Sequence, residues 1–236
     1  MLLTALLLIL SPTVAWAARE PFNEVLDNEV LPARATELQS RITDRLGPVG
    51  ETMWWWGASF GLSPTVELVL PAEIGVSHVD GTTRFKWFAA ELRWRIAPPG
   101  PPPGPGHPVP LVRLSVERSI LGNTLKGGGD IIVGTDLSKA LHSSVMAGGT
   151  VVSNGSAANL HGGLGITGNV TPALRIGGEV FGDLPVLPTG TGATLGVGPD
   201  ASLTVGAFWI TAGTLIGVGS GRAYDASVRI AWGIEL

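Results

Sequence analysis

The chain has 236 residues, a net charge of −4, 34 glycines and no cysteine. Without cysteine there are no disulfides, thiolate metal sites or thiol nucleophiles, and the acidic balance lacks the basic footprint of a nucleic-acid binder. Charged residues make up 14% of the chain, against roughly 25% in an average soluble protein, which leaves too little charge for an ordinary water-facing surface.

In chain order, the first feature is an export signal. Residues 2–10 are dominantly apolar and lead through Ser11-Pro12 to the small-residue pattern Ala15-Trp16-Ala17. This reads as a signal peptide over 1–17, cleaved near Ala17. Residues 18–34 are acidic and have no clear period; they are expected to remain periplasmic or to fold into the following domain as a plug. No later apolar run approaches the ~20 residues of a transmembrane helix.

From residue 35 to 236 the chain breaks into short segments separated by Gly, Pro, Asn, Asp and Ser clusters, the pattern of successive strands. Six segments alternate cleanly, with Leu38, Ile42 and Leu46 opposed to Glu37, Arg41 and Arg45 in the first of them. The second sets Leu68, Leu70 and Ile74 against Glu67 and Glu73, and the third sets Phe88, Leu92 and Trp94 against Glu91, Arg93 and Arg95. In the remaining three, Arg113 and Glu117, Arg175 and Glu179, and Arg229 and Glu235 occupy the polar parity. The fourteen charges comprise seven carboxylates and seven arginines, and none is lysine.

A half-solvated soluble sheet alternates in the same way. The export signal and the absence of any later helix to cover such a sheet favour a membrane instead. An open sheet in a bilayer would leave edge N–H and C=O groups unsatisfied, so the strands must close. The expected fold is therefore all-β, a closed antiparallel transmembrane β-barrel with apolar parity toward lipid and polar parity in the lumen.

The expected strands are 36–46, 52–62, 66–77, 86–96, 110–118, 130–136, 141–151, 160–167, 173–182, 194–204, 208–218 and 226–236. This gives twelve, or ten if 130–136 and 160–167 are not strands. An even number places both ends on the periplasmic side, with tight inner turns and longer outer loops. Gly127-Gly128-Gly129 and residues 183–193 are expected in outer loops, and Asn154-Gly155 is a turn signal. The link over 97–109 carries seven prolines and reads as a polyproline-like spacer. Trp54, Trp55, Trp56 and Trp87 near outer strand ends, and Trp94, Trp209 and Trp232 near inner ends, suggest interfacial aromatic girdles, represented above all by Trp54, Trp56, Trp94 and Trp232.

The last segment, with Val228, Ile230, Trp232, Ile234 and Leu236 alternating to the C-terminus, resembles the terminal strand by which outer-membrane proteins are recognised by the barrel-assembly machinery. More broadly, residues 31–236 resemble outer-membrane transporters of the meta-pathway of phenol degradation. The similarity lies in Glu67, Pro71 and Glu73, in Arg175 with Glu179-Val180-Phe181-Gly182, in Val197-Gly198-Pro199 and in Ala231-Trp232-Gly233. The resemblance implies passage of small hydrophobic or aromatic compounds and no catalytic residues.

Candidate chemistry is sparse. His142 shares a parity with Ser144, and His161 with Gly163, but no orienting acid or oxyanion hole accompanies them, so a barrel lipid hydrolase is the weakest reading. His78 and His107 form no ligand set, and neither metal nor cofactor is expected. The expectation is a non-enzymatic outer-membrane pore for small molecules, with lipid and the assembly machinery as partners and no nucleic acid. The alternative is a closed structural or adhesive barrel with a salt-bridged lumen. The balance of the fourteen charges predicts a lumen without strong ion preference.

Overall fold

The computed structural model describes residues 21–22, 24–47, 50–96, 105–120, 122–188, 192–219 and 224–236. The signal peptide over 1–17 and residues 97–104 of the proline-rich link lie outside these residues. Twelve strands follow one another: β1 (Thr36–Leu46), β2 (Glu51–Ser63), β3 (Val66–Ser77), β4 (Thr83–Arg95), β5 (Val109–Ser119), β6 (Leu125–Asp136), β7 (Leu141–Val152), β8 (Ala158–Asn169), β9 (Leu174–Leu187), β10 (Thr194–Val205), β11 (Phe208–Val218) and β12 (Ala226–Glu235). Each pairs antiparallel with its neighbour in sequence, and β1 closes on β12 to complete the barrel. Closure leaves no sheet edge, so backbone polar groups are satisfied without water.

The burial pattern is the inverse of that of a soluble protein. On β1, Leu38, Ile42 and Leu46 are 41–49% exposed while Glu37, Gln39 and Thr43 are buried. On β3, Leu70 is exposed and Glu67 and Glu73 are buried. Side chains alternate across a strand, so the apolar parity forms a continuous outer wall and the polar parity lines the lumen. The end where β1 starts and β12 stops is termed the base, and the opposite end the mouth.

Two expectations about loops are corrected. Gly127, Gly128 and Gly129 belong to β6, paired with Val116, Ser115 and Leu114 of β5. Glycine lowers strand propensity, but a ladder on both sides outweighs it here, since β7 pairs with the same residues. Likewise β9 runs to Leu187, which shortens the expected loop over 183–193. A third irregularity is a bulge in β4. Glu73 pairs with Trp87 and Ile74 with Phe85, so Lys86 is the extra residue. A bulge shifts the alternation by one: Phe85 and Phe88 both face outward, and Lys86 turns inward to Glu51 and Glu73.

Residues 21–22 and 24–31 lie inside the barrel at its base, and the exposed residues 32–34 lead from there to β1. Phe22, Val25 and Leu31 are at most 2% exposed. Phe22 and Val25 join Leu111 of β5, Ile132 of β6 and Met146 of β7 in an apolar cluster, flanked by Leu26, Val30 and Phe181. Eight strands give an interior that side chains just fill. Twelve enclose more, and the segment occupies part of the surplus.

Candidate functional site

The lumen has three storeys. At the base, the N-terminal segment is anchored by the wall. The buried Glu179 carboxylate accepts the backbone N–H groups of Glu24 at 2.8 Å and Val25 at 2.8 Å. Glu67 accepts the Leu31 N–H at 2.9 Å. Asn28 donates to the Val109 carbonyl at 3.0 Å, and Ser144 donates its hydroxyl to the Leu26 carbonyl at 2.7 Å. Arg229 lies 3.3 Å from Glu24. Hydrogen bonds to a charged partner contribute about 1.5–3 kcal/mol each, so the two carboxylates are the main polar anchors. Phe22 lies over Gly165, where an added Cβ would sit 2.5 Å from its ring, and stacks on His142 at 6.2 Å.

His142 itself bridges segment and wall, with Nε2 3.0 Å from Asp27 and Nδ1 2.9 Å from Asp136. The pairing of His142 with Ser144 as base and nucleophile is therefore not assembled: both imidazole nitrogens meet carboxylates, and the serine proton goes to a backbone carbonyl. These residues hold the segment in place.

The middle storey is a chain of ion pairs running around the wall from β3 to β8. Glu67 meets Arg93 at 3.8 Å, Arg93 meets Glu91 at 3.7 Å, and Glu91 meets Arg113 at 3.6 Å. Arg113 Nε then donates to Asp130 at 2.6 Å, and Asp130 also bonds His161. Arg93 and Arg113 stand directly opposite one another, and their repulsion is relieved because Glu91 contacts both. Gly148 lies between Asp130 and His161 in register. A Cβ there would sit 2.1 Å from the Asp130 carboxylate, so a side chain at this position would break the contact.

Toward the mouth, Lys86 pairs with Glu51 at 2.7 Å and Lys126 with Glu117 at 3.2 Å. The Arg41 guanidinium lies 5.0 Å over Trp55, and that of Arg45 lies 5.8 Å from the Tyr224 ring. Burial pushes the Tyr224 hydroxyl up to about 12. A cavity of about 150 Å³ opens here, lined by Arg41, Trp55, Trp87, Glu91, Arg113 and Lys126 among others.

The fourteen predicted charges thus divide. Glu67, Glu91, Arg93 and Arg113 form the central chain, and Glu73 and Glu117 pair with lysines. Glu179 and Arg229 hold the N-terminal segment, while Glu37 accepts the Trp209 indole N–H at 3.0 Å and also bonds Gln39. Arg41 and Arg45 lie against aromatic rings. Arg95, donating to the Pro64 carbonyl, and Arg175, donating to Asn169, sit at the base rim, as does the exposed Glu235.

Their seven-to-seven balance does not describe the whole lumen. Asp27, Glu37, Glu67, Glu73, Glu91, Asp130, Glu179 and Asp200 are buried, against the two arginines Arg93 and Arg229. Sequence reading missed Lys86 and Lys126, because a bulge and a glycine run interrupt the alternation around them. It missed Asp130 and Asp200 for the same reason: each stands in a glycine-containing strand without a clean pattern.

Trp54 and Trp94 are half exposed on the outer wall, and Trp56 and Trp232 share that face. Trp54 packs on Trp56 at 5.3 Å. Trp55 and Trp209 are corrected to the lumen, where they are 6% and 4% exposed; parity, and not distance from the strand end, decides the face. Trp87 is likewise corrected to the lumen, where it shares the parity of Ala89 and Glu91 and lines the same cavity.

No protein-family model matches the sequence, and no curated protein matches it. Solved structures share its fold. An outer membrane channel from Pseudomonas putida F1 matches with a TM-score of 0.64 at 9% identity, over 89% of this chain and 98% of that one. The NanC porin matches with a TM-score of 0.59 at 12% identity, over 84% and 100%. The KdgM porin in complex with disordered oligogalacturonate matches at 0.56 and 8%, over 84% and 98%. These likenesses are of fold: bacterial outer-membrane channel barrels.

Proposed function

We propose that this chain is a non-enzymatic outer-membrane channel for passive movement of small molecules, partly closed at its base by residues 21–22 and 24–31. The observation that carries this is the lumen itself: a cavity at the mouth end and, at the base, a segment held in place by non-covalent contacts. The apolar outer wall suits lipid on all sides, and the C-terminal strand β12 is the surface offered to the assembly machinery. Trp55 and Trp87 beside the mouth cavity favour small solutes with a planar or aromatic part, the solute class implied by the family resemblance.

The test is single-channel recording in planar bilayers with the full-length mature chain and with a variant lacking residues 21–30. The deletion is expected to raise conductance, and heat-modifiable gel migration checks that both barrels are folded. Folded barrels that conduct in neither form would support the closed, salt-bridged alternative.

A further inference from the structure

The wall opposite the ion-pair chain is built differently. Asp200 of β10 is 3% exposed, and neither of its carboxylate oxygens has a hydrogen-bond partner. Its Oδ1 leans over Gly177 of β9, 2.9 Å from where a Cβ would be, toward Thr167 of β8, which pairs with that glycine. The Thr167 hydroxyl is 1% exposed and also unpartnered, as is that of Ser202, 2% exposed and two residues along the same face of β10. Glu179 stands on the same face of β9, two residues from Gly177. The arginine on this side, Arg229, is directed to Glu24 at 3.3 Å, and Gly213 separates it from Asp200 in register.

A buried carboxylate with nothing to bond is costly. The unpartnered Asp200 carboxylate and the two unpartnered hydroxyls form a hard, oxygen-lined cluster over bare glycine. The Glu179 carboxylate, though it accepts the Glu24 and Val25 N–H groups, adds to the cluster's excess of negative charge. Hard oxygen donors suit alkali and alkaline-earth ions and equally an ammonium group, which donates N–H bonds to them. We propose that the oxygens of Asp200, Thr167 and Ser202, in the field of Glu179, bind a small cation: a metal ion of this kind or the ammonium group of a passing solute. The proposal deepens the channel reading by naming the charge of the species the lumen holds.

The first test does not need conduction. Thermal unfolding of the detergent-folded mature chain is followed at constant ionic strength in sodium, calcium or methylammonium chloride, with tetramethylammonium chloride as reference. Tetramethylammonium has no N–H to donate. At least one of the three cations is expected to raise the midpoint in wild type, and Asp200→Asn is expected to lose that increment. The metal and methylammonium arms distinguish the two sources. Absence of any increment in wild type, as when a proton neutralises Asp200 instead, overturns the proposal, and so does an equal increment in Asp200→Asn. Should Asp200→Asn fail to fold, Thr167→Val, which removes one donor, must shrink the increment.

The second test is reversal potential under a potassium chloride gradient. A unit charge about 6 Å from a permeating ion biases its local concentration about threefold even at the dielectric of water, so cation preference should fall about threefold in Asp200→Asn. A barrel that conducts in no form refutes the channel reading and leaves the unfolding test to decide the site.

Discussion

Phe22→Ala probes whether the N-terminal segment is a docked element of the lumen. Phe22 is 1% exposed, packs over Gly165 and stacks on His142. Removing a buried phenylalanine side chain costs about 3–5 kcal/mol in a core. The segment contributes no strand to the closed ladder, so the loss is expected to fall on the docking equilibrium. Ordering each segment residue costs about 1–2 kcal/mol of conformational entropy, so docking is a small difference between large terms and one contact can move it. At 1.4 kcal/mol per tenfold, a loss of about 3 kcal/mol shifts docking about a hundredfold.

Hydrogen exchange reads this directly. The amides of Glu24, Val25 and Leu31, bonded to Glu179 and Glu67, should exchange about a hundredfold faster in Phe22→Ala, while strand amides of β3 and β9 keep wild-type rates. Gly165→Val attacks the same contact from the wall and should act in the same direction. Unchanged segment amides in both variants would refute the reasoning, because they would show that Phe22 does not hold the segment.

Further outcomes follow from the walls and the mouth. Leu70→Arg, on the lipid face, should lower barrel stability by about 2–4 kcal/mol, measured by urea unfolding in lipid, whereas Ser115→Arg, beside the luminal cavity, should be milder. Val69→Arg should also be costly, since Val69 faces inward but is 0% exposed. Arg113→Ala leaves Asp130 and Glu91 short of a partner and should destabilise the folded barrel by up to about 3–5 kcal/mol, with Asp130→Asn in the same background recovering part of the loss. In the mouth loop after β3, the Thr82 hydroxyl and then the Thr82 amide hold the Asp80 carboxyl down to about 2. Its folded value lies below the ordinary 3.8, so the turn's stabilisation is present above that value and lost as pH falls toward 2. Amide exchange at Thr82, corrected for intrinsic rates, should therefore stay constant from pH 7 to 5 and rise on acidification below 4; Asp80→Asn should abolish that step.

Alternation of single residues determined most of this architecture before any contact was known. Leu38 against Glu37, Leu70 against Glu67 and Ile230 against Arg229 assign faces correctly, because side-chain direction in a strand has a period of two whatever the surroundings. Closure followed from the chemistry of a bilayer, and the strand number from spacing. What depends on distant residues was not legible. Gly127 to Gly129 carry no strand signal and become strand only because β5 and β7 flank them. Lys86 faces the lumen and Phe85 the lipid because a bulge breaks the period locally, and a bulge has no fixed sequence signature. The place of Phe22, Val25 and Leu31 was left open because their partners are a glycine of β8, carboxylates of β3 and β9 and an apolar patch on β5–β7. Those groups form one pocket only after the ring of strands closes around it.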